Sequence, residues 1–176
     1  MNTGAVFTAK YSSPIGELLL SANEKALTGL WIEGQKHYGA LLSHISEENS
    51  NSPIIKSATL WLNRYFNGEK PAPCELPLEP TGSDFQRMVW DILLRIPYGE
   101  VITYGDIAKE IALKKGIDKM SAQAVGGAVG RNPISIIIPC HRVIGANGEL
   151  TGYDGGIAIK QQLLSFEGAP FIPNPK

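Results

Sequence analysis

The sequence predicts an α+β chain in two parts: a small N-terminal α/β domain with antiparallel strands, then a mostly helical C-terminal domain carrying a helix-turn-helix. Three observations lead there. Short β-rich runs fill the first third, four prolines crowd residues 70–82, and strong helical periodicity begins immediately after them. At 176 residues the chain can hold one sizeable domain or two small ones sharing a core. The proline-rich stretch ends in Thr81-Gly82, which places the boundary between domains 1–82 and 83–176.

Ala5–Tyr11, Gly16–Ala22 and Ala26–Ile32 are the strand candidates. Ser12-Ser13-Pro14 and the polar Asn23-Glu24-Lys25 separate them, which suggests an antiparallel meander. A polar stretch, Ser43–Ser52, leads to a helix over Pro53–Asn67 with Ile55, Ala58, Leu62, Tyr65 and Phe66 near one face and Gly68 as terminator. Pro71, Pro73, Pro77 and Pro80 resist helix and fit an extended linker with at most a short edge strand.

Ser83 and Gln86 have the spacing of a capping box. Phe85, Met88, Val89, Ile92, Leu93 and Ile96 then form an amphipathic stripe that Pro97-Tyr98-Gly99 ends. Thr103 can cap the next helix, which would bury Ile107, Ala108 and Ile111. A polar connection, Lys114–Lys119, leads to Ser121, the cap of a third helix surfaced by Ala122, Ala124, Gly126, Gly127, Ala128 and Gly130. Two short helices joined in this way resemble a helix-turn-helix. Each glycine costs a helix about 1 kcal/mol relative to alanine, so the small surface implies close approach by another backbone. A neighbouring helix or a nucleic-acid groove would serve equally.

The formal net charge of −1 neither announces nor excludes a nucleic-acid partner. Its distribution is uneven. Within 109–142, Lys109, Lys114, Lys115, Lys119, Arg131 and Arg142 face only Glu110 and Asp118. Such an excess can meet phosphates or simply be a solvated face. Two cysteines argue against a disulfide framework, and with no charged-then-apolar leader this points to a reducing cytoplasm. No apolar run approaches the roughly 20 residues needed to cross a bilayer, so no membrane partner is expected.

The apolar run Ile134–Ile138 is broken by Pro139 and followed by Cys140-His141-Arg142-Val143. A cysteine beside histidine and arginine sits in an electropositive setting that favours the nucleophilic thiolate. Taken alone, Cys140 reads more readily as inert packing than as a nucleophile, and His141 as a structural histidine.

The string Ile138-Pro139-Cys140-His141-Arg142-Val143 resembles the active-site signature of the O6-alkylguanine-DNA alkyltransferases. Upstream, Phe85-Gln86, Val89-Trp90, Pro97-Tyr98-Gly99-Glu100-Val101, Thr103-Tyr104-Gly105, Ala124-Val125-Gly126-Gly127-Ala128 and Asn132-Pro133 also fit. Downstream, so do Gly152-Tyr153, Gly155-Gly156, Lys160, Leu163-Leu164 and Glu167-Gly168. These motifs run in order over nearly all of 84–171.

The resemblance implies a winged-helix-like C-terminal domain and a stoichiometric, self-inactivating transfer. Cys140 would take an alkyl group from O6-alkylguanine in DNA, with O4-alkylthymine a second candidate. His141 would act as base through a water, oriented by Glu167. Tyr104 would supply the donor that steadies the leaving guanine, and Asn132 would brace the turn before the active-site segment. Ser121, Gln123, Ala124, Gly127, Ala128, Arg131 and Arg142 would contact DNA. Val143, Tyr153, Asp154 and Ile157 would line the pocket for an extruded base. The implied partner is double-stranded DNA carrying alkylated bases, gripped through the minor groove by a monomer, with no cofactor. The first domain lacks the Cys/His set that gives some relatives a structural zinc, so no metal is expected.

Two positions depart from the family pattern. Gln123 stands where many relatives carry an arginine that fills the gap left by the flipped base, which predicts a weaker grip on duplex. Asp154 stands beside Tyr153 where a small or neutral residue would serve the pocket. Two rival readings remain at this point: a binding module that recognises lesions without transfer, and a cysteine hydrolase with turnover. The presence of Cys140, His141, Glu167 and Tyr104 argues against the first, and a water-resistant thioether product argues against the second.

Overall fold

A computed structural model describes residues 5–40, 42 and 46–173. The chain forms two compact units. One runs up to Thr81 and includes Pro133–Ser135; the other comprises Gly82–Asn132 and Ile136 onward.

The first unit is built on β1 (Val6–Ser13), β2 (Gly16–Ala22), β3 (Leu27–Ile32) and β4 (Ser46–Glu48), in the spatial order β3-β2-β1-β4. The predicted meander is present: β1 pairs antiparallel with β2, and β2 with β3. β4, which pairs parallel with β1, was not anticipated. Its Ser-Glu-Glu sequence is fully exposed and carries no alternation, so only the free edge of β1 makes it a strand. The first residues of the polar stretch, 43–45, lie outside the described residues.

Helix α1 (Pro53–Phe66) lies against β1, β2 and β3. Ile55, Ala58, Leu62 and Tyr65 are buried as predicted, joined by Trp61, while Phe66 is half-buried and stacks on Tyr11. Gly68 ends the helix with φ +81°, a left-handed conformation in which glycine has no Cβ penalty. In the linker, Pro73–Glu75 forms a single 3-10 turn. Leu27 N–H then donates to Pro77 O at 2.9 Å, and Glu79 N–H to Leu27 O at 2.9 Å. Further along the same edge of β3, Leu30 N–H donates to Pro133 O at 2.9 Å and Ser135 N–H to Leu30 O at 2.9 Å. Two short segments thus cover an edge that would otherwise expose unpaired backbone.

The second unit packs α2 (Asp84–Leu93), α3 (Tyr104–Lys115) and α4 (Ala122–Gly130) against one another. All three predicted caps form. Ser83 Oγ accepts from Gln86 N–H, Thr103 Oγ1 from Asp106 N–H, and Ser121 Oγ from Ala124 N–H. α2 is shorter than its periodicity suggests, and Ile96 joins the buried stripe from the turn beyond it. Trp90 is buried among these helices, and its Nε1 donates to Ala128 O at 2.9 Å. Gly82 lies so close that a Cβ there would fall 2.4 Å from the Trp90 ring.

β5 (Ile102–Thr103) pairs parallel with β6 (Val143–Ile144), and α5 (Ile157–Glu167) completes the unit. Ile144, Leu150, Leu164 and Ala169 form an apolar cluster, with Val101, Ile157 and Phe171 packed on it. Among the described residues no helix is long and apolar enough to cross a membrane.

Candidate active site

Pro139 stops the apolar run, and Cys140–Arg142 close a single 3-10 turn in which Arg142 N–H donates to Pro139 O at 3.0 Å. Just before it, buried Ile136 has φ +70°. A β-branched residue held there costs about 1–3 kcal/mol, so the surroundings must over-determine the backbone entering this turn. Cys140, His141 and Arg142 are all buried. The β5–β6 pairing brings the start of α3, with Tyr104, to the strand that follows the turn.

Glu167, at the end of α5, is buried rather than a solvated helix-end acid. His141 Nε2 lies 2.7 Å from its Oε1, and Arg142 donates to both oxygens, Nε to Oε2 at 2.8 Å and Nη2 to Oε1 at 3.0 Å. Gly99 N–H donates to Oε2 at 3.2 Å. Gly99 has φ +78°, and a Cβ there would fall 2.9 Å from Glu167 O, so the approach needs glycine twice over. Burial pushes the Glu167 carboxyl up, but the hydrogen bonds and charges of His141 and Arg142 outweigh it and hold the group far below the usual carboxylate range. His141 Nδ1 is buried with no protein partner. Burial pulls the imidazole below its ordinary value despite the attraction of Glu167, which keeps the ring neutral near pH 7.

Asn132 Nδ2 donates to Ile138 O at 2.8 Å, bracing the turn, and its side chain also hydrogen-bonds the Cys140 thiol. Burial raises the thiol above its ordinary value; the Asn132 contact and the Lys160 charge pull it partly back. Cys140 is therefore a neutral thiol that needs a base. Tyr104 Oη donates to Thr151 O at 3.1 Å and reaches Gly152 O at 3.3 Å. Tyr153 carries a buried hydroxyl against Cys140, and burial foremost holds it well above the ordinary tyrosine value. Asp154 is half-buried, and its charge opposes ionisation of both Cys140 and Tyr153.

The structure brings Cys140, His141, Glu167, Asn132, Tyr104 and Tyr153 together. Ser121, Gln123, Ala124, Gly127 and Arg131 are exposed on α4 and its flanks. Two expected DNA contacts are corrected. Ala128 faces inward, where its carbonyl holds Trp90, and Arg142 is spent on Glu167 and on Ile96 O at 2.7 Å. Neither can reach a phosphate or a groove. The basic excess is also smaller than counting suggests, because acids outside 109–142 offset two of its cations: Asp106 pairs with Lys109 at 3.8 Å and Glu167 with Arg142 at 2.8 Å. Val143 is fully buried within β6 and Ile157 packs on the Ile144 cluster, so both serve the core first.

Sequence reasoning gave Lys160 no role, yet it is the cation that α5 buries. It has 0% exposure, donates to Thr151 O at 3.0 Å and Gly152 O at 3.4 Å, and lies 5.8 Å from the Tyr104 ring. It therefore clamps the same two carbonyls as Tyr104, ahead of Tyr153. The available signal was its place on the apolar stripe of α5, three residues after Ile157 and four before Leu164. Burial lowers its pKa from 10.5 to about 8. In this range the unfolded chain binds more protons than the folded one, so stability attributable to Lys160 rises with pH. Thermal unfolding of Lys160→Met and the parent from pH 7 to 10.5 should show the parent gaining on the variant. A constant difference would contradict the burial.

Comparison with known proteins adds to this geometry. Residues 84–169 match the family model described as 6-O-methylguanine DNA methyltransferase, DNA binding domain, and residues 6–80 match the ribonuclease-like domain of the same family. A methylated-DNA–protein-cysteine methyltransferase of Haemophilus influenzae is 40% identical over 168 residues, covering 96% of this chain and 89% of that protein. One from Methanosarcina acetivorans is 43% identical, covering 93% and 99%. The crystal structure of Mycobacterium tuberculosis OGT in complex with DNA has a TM-score of 0.78 at 42% identity, covering 94% of this chain and 95% of that one.

Proposed function

We propose, from the premise that this chain belongs to the 6-O-methylguanine DNA methyltransferase family, that it repairs DNA by moving the alkyl group of O6-alkylguanine onto its own Cys140. The observation that carries this reading is the buried trio of Cys140, His141 and Glu167. Glu167 engages one ring nitrogen of His141, and the other is left for a water.

The step balances as a displacement. The thiol proton passes through water to His141 Nδ1, the sulfur pair forms a bond to the alkyl carbon, and the carbon–O6 pair leaves with the guanine. A proton donor on the purine ring, here the Tyr104 hydroxyl, steadies the departing anion until guanine regains its proton. The thioether left on Cys140 has no route back, so each chain acts once.

Cys140 is 5% exposed, so a base within a duplex reaches it only when rotated out of the stack. On this reading residues 83–176 hold DNA and chemistry, and residues 1–82 support them. The partner is double-stranded DNA, entered through the minor groove by α4, whose Ala122, Ala124 and Gly127 present a small exposed face. The protein acts as a monomer in the cytoplasm without a cofactor. The pocket wall comes from Tyr153 and Asp154.

Intact-mass analysis after incubation with duplex containing O6-methylguanine tests the function. One methyl per chain, mapped to Cys140, is the expected result; an unchanged mass with excess lesion overturns it. Gln123, exposed in the first turn of α4, bears on affinity rather than chemistry. Gln123→Arg should tighten duplex binding with a salt-sensitive gain, since arginine adds a planar charge near phosphates, while the transfer rate on bound lesion is unchanged. Equal affinity for variant and parent counts against the placement of α4 on DNA.

A further inference from the structure

Glu167 engages the side chains of both His141 and Arg142, and the second is unexplained by orientation alone. Arg142 grips both carboxylate oxygens at 2.8 and 3.0 Å, is tied by Nη1 to Ile96 O at 2.7 Å, and lies over the Tyr98 ring at 5.7 Å. Burying a guanidinium is costly, and a carboxylate can orient an imidazole without one. What the fork does supply is charge. A histidine beside a buried, uncompensated carboxylate is driven to imidazolium, which has no lone pair with which to take a proton.

We propose that Arg142 is a positioning residue for alkyl transfer: it neutralises Glu167, so that the carboxylate fixes the ring and tautomer of His141 while the imidazole remains an unprotonated base. The inference rests on the reading of Cys140 as alkyl acceptor. The charged surroundings of His141 agree with it. Glu167 is the group that favours the imidazolium, while Arg142 in the same turn and Lys160 on α5 oppose it. The remaining titratable groups of the site are the Cys140 thiol, Tyr98, Tyr104 and Tyr153, and Asp154.

The deciding experiment is the single-turnover rate of methyl transfer against pH, with melting temperature measured alongside, for the full-length parent, Arg142→Met and Arg142→Met/Glu167→Gln. In Arg142→Met the acid limb should move up by about one pH unit, lowering the rate about tenfold at acidic pH values along that limb and restoring it in alkali. In the double variant, with no carboxylate left, the limb should move back down. A limb that stays in place while both variants melt lower assigns Arg142 to stability alone and overturns the proposal. Should Arg142→Met fail to fold, 15N NMR of the parent decides: His141 must be a neutral Nε2–H imidazole at neutral pH, and an imidazolium there overturns the proposal. A parent that takes up no methyl at all instead removes the alkyl-transfer reading, and the NMR result still stands on its own.

Discussion

Cys140→Ala abolishes methyl uptake completely, over any period in which the parent reacts to one equivalent, and leaves binding of lesion-containing duplex in place. The substitution removes only the sulfur. The backbone of the turn is held by Pro139 O and by Asn132 on Ile138 O, neither of which involves the side chain. The cost in stability should therefore be modest, about 1 kcal/mol. Cys74 is exposed, in the 3-10 turn of the linker and not in the active-site turn, and it is the second thiol that needs a control. Cys74→Ala is the matching control and should react like the parent. Mass analysis of both variants checks the pair, and methyl uptake by Cys140→Ala, or an adduct on Cys74, would remove Cys140 from its role.

Glu167→Ala carries the largest expected loss of stability. It strands the buried Arg142 guanidinium and leaves Gly99 N–H and His141 Nε2 without their acceptor. Breaking a buried ion pair from one side costs about 3–5 kcal/mol. For a chain of this size that lowers the melting temperature by about 10 °C. The effect has a pH signature. The carboxyl is held far below its ordinary value of 4.5, so its contribution is complete above that value and is lost as pH falls toward the folded-state value. The gap between parent and variant should therefore be widest near neutrality and narrow below pH 4.5. A gap that does not change between neutral and acid pH would mean that Glu167 is not ionised and paired in the folded chain.

What the sequence disclosed, and what it withheld, follows from the range of the forces involved. The caps Ser83, Thr103 and Ser121 were legible because the acceptor and its N–H lie three residues apart. β4 was not, since three polar residues become a strand only when β1 offers an edge. The small helix α4 was readable as small but not as two-faced: alanine at 124 and alanine at 128 look alike, and only the packing of α4 on α2 and α3 makes the second one core. Arg142 misled for the same reason. Its charge is local information, whereas its carboxylate lies 25 positions away. The roles of His141 and Glu167 came from family resemblance rather than spacing, because the contact between them spans 26 positions.

The pairing of Leu30 with Pro133 and Ser135 makes the first unit a late-closing one. During synthesis, β1, β2 and β3 leave the ribosome long before residues 133–135 exist, so that stretch of β3 waits with its backbone donors and acceptors unpaired. The nascent chain consequently passes through a stage in which its N-terminal sheet is assembled but unsealed, and it ends only as the segment leading into Cys140 emerges.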